Sequence, residues 1–262
     1  MRFALGIEYD GRGFLGWQSQ RQSPTVQDCV EQALSRVADH PVRVVCAGRT
    51  DTGVHAECQV AHFDSDAPRS ERSWVLGANQ HLPEAASVLW VRKVDAEFHA
   101  RFSAYERRYR FRILNRWARP ALEAGRICWC RKPLDAGRMH DAAQALRGEH
   151  DFSAFRAAGC SARHAVREVT DIHVSRQDDV VEMQIAANGF LYRMVRNIAG
   201  SLIEVGAGER PVDWMEELLS GRDRTRAGVA AGPEGLYFMA ARYPDRFELP
   251  SNDDAFPHEA GA

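Results

Sequence analysis

The spacing of apolar positions changes period several times along the chain, and each change predicts an element. Residues 3–9 form a first apolar run and read as a strand. Ser23-Pro24 predicts a helix start, with serine as cap and proline in the first turn. Val26, Cys29, Val30, Ala33, Leu34 and Val37 follow on one helical face. An apolar run ending in Val44, Val45, Cys46 and Ala47, and another over residues 58–63, predict strands on either side of a polar loop. Residues 71–79 predict a short helix burying Trp74 and Leu76, and 87–94 a compact strand. Residues 108–114 alternate strictly: Tyr109, Phe111 and Ile113 point one way, Arg108, Arg110 and Arg112 the other. Met139, Ala142, Ala143 and Leu146 give a helical face within 135–146, and 169–174 and 180–186 read as strands joined by a polar turn. A helix is expected over 190–205, a shorter one from Pro211, and a closing strand from Leu236 to Arg242.

Two rounds of strand, helix and further strands imply an α+β fold. Two similar lobes are expected, with mixed or antiparallel sheets flanked by helices, meeting side by side around a cleft. The boundaries fall at 1–104, 105–244 and a tail, 245–262, whose acidic residues and prolines predict disorder.

Composition narrows the classes. With 45% apolar and 27% charged residues the chain reads as a soluble globular protein. No run reaches the ~18–20 apolar residues of a membrane span. The first residues enter a strand without a signal peptide, so the cytoplasm is the expected location. The six cysteines form no CxxC pair and no zinc set, and read as small hydrophobes in a reducing compartment. No Walker loop, zinc motif or dinucleotide fingerprint occurs, which is consistent with chemistry that needs no cofactor or metal. The net charge is −2, but the tail holds five carboxylates against Arg246, and arginine is concentrated at Arg101, Arg107, Arg108, Arg110, Arg112, Arg116 and Arg119. Only two lysines occur, so the clustering rather than the residue type suggests phosphate partners.

The candidate chemistry lies in Ala47-Gly48-Arg49-Thr50-Asp51-Thr52-Gly53-Val54-His55-Ala56. Its two glycines supply the φ freedom a tight loop needs, and they enclose an arginine, a carboxylate and two hydroxyls between strands. A polar hairpin turn in which Asp51 bonds to nearby N–H groups fits the same residues. Asp51-Thr52-Gly53 is also the aspartic-protease tripeptide, but that chemistry needs two carboxylates sharing a proton and no second copy occurs. A non-catalytic RNA-binding module of tandem α+β lobes would explain the arginines alone. His55 and His62 read as hydrogen-bonded structural residues and Trp17 as packing.

Ala47–Ala56 resembles the signature loop of the tRNA pseudouridine synthase A family. Residues 4–11 with Gly16-Trp17-Gln18, Phe98-His99-Ala100-Arg101-Phe102-Ser103-Ala104, Arg107-Arg108-Tyr109-Arg110, Asp151-Phe152, Met194-Val195-Arg196-Asn197 and Glu234-Gly235-Leu236-Tyr237 fall in that family's order, to about Tyr243. The resemblance implies cofactor-independent isomerisation of uridines 38, 39 and 40 in the anticodon arm of tRNA, by a homodimer. It makes Asp51 the catalytic residue, Tyr109 the ring that stacks on uracil, and Leu236 part of the pocket wall. A buried carboxylate needs a cationic partner to remain charged; Arg49 and Arg196 are the candidates, and Arg49 is also a candidate for displacing the base. Arg108, Arg110 and Arg112 are candidates for the RNA backbone, or else a solvated face.

Overall fold

Residues 1–21 and 24–250 are described by the computed structural model. Its strands are β1 (Arg2–Tyr9), β2 (Val45–Cys46), β3 (His55–Asp64), β4 (Ala86–Val94), β5 (Glu106–Asn115), β6 (Cys128–Cys130), β7 (Gly148–Asp151), β8 (Val166–Gln177), β9 (Val180–Ala187) and β10 (Leu236–Arg242). The helices are α1 (Val26–Ala38), α2 (Glu71–Asn79), α3 (Ala136–Gln144), α4 (Met194–Gly206) and α5 (Trp214–Gly221).

The sheets of the two halves are one sheet, ordered β4-β1-β3-β10-β5-β9-β8-β7, with β2 added to β3 and β6 to β5. The seam is the last strand. β10 runs parallel to β3, placing Phe238 beside Ala56, and antiparallel to β5, placing Phe238 beside Tyr109. α1 and α2 gather at the β4 end, and α3 with α4 at the β8 end. One continuous apolar core joins both halves, with Trp17, Trp74, Phe63, Phe98, Phe111 and Phe238 among its fully buried side chains. The expected stripe of α1 is partly or fully buried throughout. Among the described residues no helix is long and apolar enough to cross a membrane.

Four expectations change. α1 begins two residues after Pro24, capped by Thr25, whose Oγ1 accepts the N–H of Asp28 at 3.2 Å; Ser23 lies outside the described residues. Trp74 is buried as expected, but Leu76 is 57% exposed because it lies on the solvent side of α2. α4 starts at Met194 rather than 190, since Arg193 takes a left-handed φ of 58° that a helix interior does not allow. The expected tail disorder does not begin at 245. Asp245–Phe247 forms a short 3-10 turn whose buried Phe247 ring lies 5.1 Å from that of Phe98; residues 251–262 lie outside the described residues.

His62 is a structural residue with a pH consequence. Its Nδ1 accepts the N–H of Ala100 at 3.1 Å, which only an unprotonated nitrogen can do. Burial, with Arg2 and His99 adding, lowers its pKa from 6.5 to about 4, against an opposing pull from Asp64. Between those values the unfolded chain binds the proton and the folded chain does not, so this stabilisation is lost as pH falls through that window. The melting-temperature gap between wild type and His62→Gln is expected to shrink from pH 7 to pH 5. A constant gap would show that the ring's protonation is not coupled to folding.

Candidate active site

The loop 47–54 is held from below by its neighbours. Tyr9 Oη and Thr50 Oγ1 share a hydrogen bond of 2.8 Å, the Trp17 N–H donates to the Thr50 carbonyl at 3.0 Å, and Gln59 Nε2 donates to the Gly48 carbonyl at 2.6 Å. Gly53 uses the freedom expected of it, at φ +79°. Gly48 does not take a positive φ; a Cβ on it would meet the Phe238 ring at 3.3 Å and Tyr109 Oη at 3.5 Å. The loop therefore packs directly against the Tyr109 side of the central strands. Trp17 is fully buried, as expected of a packing residue.

These contacts leave the Asp51 side chain 23% exposed and facing two cations. Arg196 Nη1 lies 3.3 Å from Oδ2, and Arg193 Nε lies 3.7 Å from the same oxygen. Arg196 is 12% exposed and has a second anchor, since its Nε donates to the Ala231 carbonyl at 2.8 Å. Ala231 returns its own N–H to the Arg196 carbonyl at 3.0 Å. This segment lies so close to α4 that a Cβ on Gly200 would stand 1.8 Å from the Val229 carbonyl oxygen. Arg193 is 44% exposed, with its guanidinium 5.0 Å from the Tyr192 ring centroid. Oδ2 is the carboxylate oxygen nearest both cations, and it accepts the Arg196 hydrogen bond. The ion-pair partners of Asp51 among the described residues are two arginines, an environment that keeps a carboxylate charged rather than the shared proton an aspartic protease needs.

Tyr109 is buried, with its ring edge-on to Phe190 at 5.0 Å and to Phe238 at 5.1 Å. Burial raises its pKa well above the ordinary phenol value, with Tyr9 and Asp51 adding to the rise and Arg107 opposing it. The phenol therefore keeps its proton near neutral pH. Leu236 is buried at the start of β10, opposite Phe111, on the same alternation as Phe238.

Four candidate arginines stand outside this cluster. Arg49 is exposed and has no ion-pair partner among the described residues, so it is not the cation that holds Asp51. Arg108, Arg110 and Arg112 point away from the Tyr109 side, and each meets carboxylates: Arg108 with Glu106 at 2.7 Å, Arg110 with Glu57 and, at 3.7 Å, Glu182, and Arg112 with Glu123 at 3.0 Å. That face is mixed in charge. The acids come from β3, β9 and a loop as well as β5 itself, which the alternation of one strand does not reveal.

Two contributors were missed in the sequence. Arg193 lies three residues before Arg196, but its turn toward Asp51 depends on a left-handed backbone without a composition signal. Arg107 donates to the carbonyls of Ala47 at 3.4 Å, Ala104 at 2.8 Å, Asn188 at 3.0 Å, and Arg101. It ties the lead into the loop to the second half of the chain. The histidines behave as expected: His55 Nδ1 accepts the Gly11 N–H at 3.1 Å, and its ring stacks on Tyr237 at 4.7 Å.

The chain is similar to known proteins over most of its length. A family profile described as tRNA pseudouridine synthase matches residues 6–103 and 142–244, which include Asp51, Arg193, Arg196 and Leu236 but not Tyr109. The chain is 56% identical to the tRNA pseudouridine synthase A of Stenotrophomonas maltophilia, over 96% of this chain and 98% of that one. It is 58% identical to the tRNA pseudouridine synthase A of Xanthomonas oryzae pv. oryzae and 57% identical to that of Xanthomonas axonopodis pv. citri, in each case over 96% of this chain and 98% of the relative.

Proposed function

The chain belongs to the tRNA pseudouridine synthase family, and from that premise we propose which residues carry the reaction and where on tRNA it occurs. It isomerises uridine to pseudouridine in tRNA. We assign uridines 38, 39 and 40 of the anticodon arm as the targets, and a homodimer with tRNA lying across both subunits as the working form.

In this reaction the N1–C1′ bond breaks, the uracil turns, and a C5–C1′ bond forms. The hydrogen on C5 is lost and N1 gains one, so atoms and electrons balance without a redox partner. The target must first leave its stack. The lobe 1–104 supplies Asp51, and the lobe 105–244 supplies Tyr109, Arg193, Arg196 and Leu236; the everted nucleoside lies between them. Tyr109 stacks on the uracil and, as a protonated phenol, offers a hydrogen bond. Leu236 closes the apolar wall. Exposed Arg49 is available to fill the space left by the flipped base.

One observation carries the assignment of Asp51: two guanidinium groups meet its carboxylate, which stays 23% exposed. Covalent attack on the sugar or base, and removal of a sugar proton to give a glycal, each require an ionised carboxylate that the substrate can reach. The contacts at Oδ2 hold that carboxylate in one orientation. The phosphate-binding role considered for Arg108, Arg110 and Arg112 passes to exposed arginines near the loop, since neutralised cations release fewer counterions.

The test is a tRNA transcript carrying tritium at C5 of uridine, incubated with the purified full chain. Tritium release and new pseudouridines mapped to positions 38, 39 and 40 are expected. Conversion confined to other positions would overturn the target assignment, and no release would favour a binding module.

A further inference from the structure

The crossover into the second half carries a side chain that neither core packing nor the reaction accounts for. Phe102 is 76% exposed, yet its ring is fixed. It stacks on His99 with centroids 4.3 Å apart and planes at 29°, and the Arg101 guanidinium carbon lies 5.5 Å from its centroid. The turn is built to hold it there. His99 Nδ1 accepts the backbone N–H groups of Arg101 and Phe102, both at 3.2 Å, and Ser103 Oγ accepts that of His99 at 3.0 Å. An acceptor at Nδ1 requires the neutral ring there, and burial with the cations Arg2 and Arg101 lowers the imidazole pKa. A lone exposed apolar side chain is ordinary on a protein surface; what sets this one apart is the stacked imidazole and the hydrogen-bonded turn behind it, which make the exposed ring available to a planar partner.

Its position points to the partner. Arg107 donates to the carbonyls of both Ala47 and Arg101, so this turn stands beside the first residue of the Asp51 loop, just after β2. Neither Arg49 nor Arg101 has a carboxylate partner among the described residues. The surface therefore offers a flat ring with the Arg101 guanidinium beside it.

We propose that Phe102, backed by His99, is a stacking platform for an unpaired nucleobase of the tRNA near the target uridine, with Arg101 meeting a neighbouring phosphate. This rests on the tRNA reading of the Asp51 site. Base–aromatic stacking is tolerant of sequence because every base has a π-face, so the platform grips the loop without choosing among bases.

The experiment measures tRNA affinity and steady-state tritium release for the full chain carrying Phe102→Ala, Phe102→Leu, Phe102→Trp or Arg101→Gln. Alanine and leucine are expected to weaken tRNA binding about tenfold, and tryptophan to restore it to within about twofold. The loss should enter KM rather than kcat, with an unchanged salt slope for the Phe102 variants and a slope lower by about one for Arg101→Gln. Leucine binding as well as phenylalanine would overturn stacking. A Phe102→Ala chain with wild-type tRNA affinity would also overturn it, as would one whose only change is a smaller assembly mass in sedimentation, which would make the ring a contact between copies. Wild-type protein that releases no tritium would instead strike the tRNA reading itself, a separate and distinguishable failure.

Discussion

Asparagine at position 51 is expected to reduce tritium release from C5-labelled tRNA by at least about 1,000-fold, while tRNA binding stays within a few-fold of wild type. The reason is the charge of the carboxylate. Arg193 and Arg196 both face it, with Oδ2 the nearer oxygen, and the side chain stays 23% exposed. Asparagine keeps the size of the side chain and can still present an oxygen to Arg196, so the loop held by Tyr9, Trp17 and Gln59 has no reason to move. What it cannot supply is an anionic oxygen that attacks or accepts a proton, an effect of roughly 100- to 10,000-fold for acid–base work alone. Removing the negative charge leaves two arginines less satisfied, which favours rather than hinders an approaching phosphate. The single-turnover rate and the dissociation constant of the same variant separate these effects. A variant that still releases tritium within tenfold of wild type would remove Asp51 from the chemistry.

Local periodicity made much of this molecule legible. The alternation of 108–114 became β5, with Tyr109, Phe111 and Ile113 buried, and the stripe from Val26 to Val37 became the inner face of α1. These patterns survive because burial of one face is decided within a few residues. The seam was not legible, because β10 pairs with strands more than 100 residues away in the chain and a run of apolar residues does not name its neighbours. For the same reason the arginine face looked basic: Glu57 reaches Arg110 from β3, across β10, and Glu182 from the neighbouring β9. At the site, Asp51 and Arg196 were readable as residues, but their pairing was only one of two options. Burial decided between them, since Arg196 is locked into α4 and the segment over it while Arg49 stands in solvent.

That lock sets the second large effect. Arg196→Gln is expected to lower kcat about 100-fold, because the guanidinium does two things that no shorter or single-headed side chain can do together. Its Nη1 holds Asp51 Oδ2 at 3.3 Å while its Nε holds the Ala231 carbonyl at 2.8 Å. Losing the first lets the carboxylate rotate, and a misplacement on the order of 1 Å costs about 100-fold in rate. Losing the second loosens the segment that packs against Gly200 and leads through Pro233–Gly235 into Leu236. Lysine keeps the charge but reaches only one of the two oxygens, so Arg196→Lys should recover a minor part of the rate. Arg193→Gln should cost less than tenfold, since Arg193 is more exposed, sits farther from Oδ2 and has no second anchor comparable to Ala231. In an Asp51→Asn background, adding Arg196→Gln should cost little more activity, because residues acting as a unit are not additive. If Arg193→Gln proved the more damaging of the two, or if the double variant lost rate as the product of the singles, Arg196 would be a structural arginine and the carboxylate's aim would have to come from elsewhere.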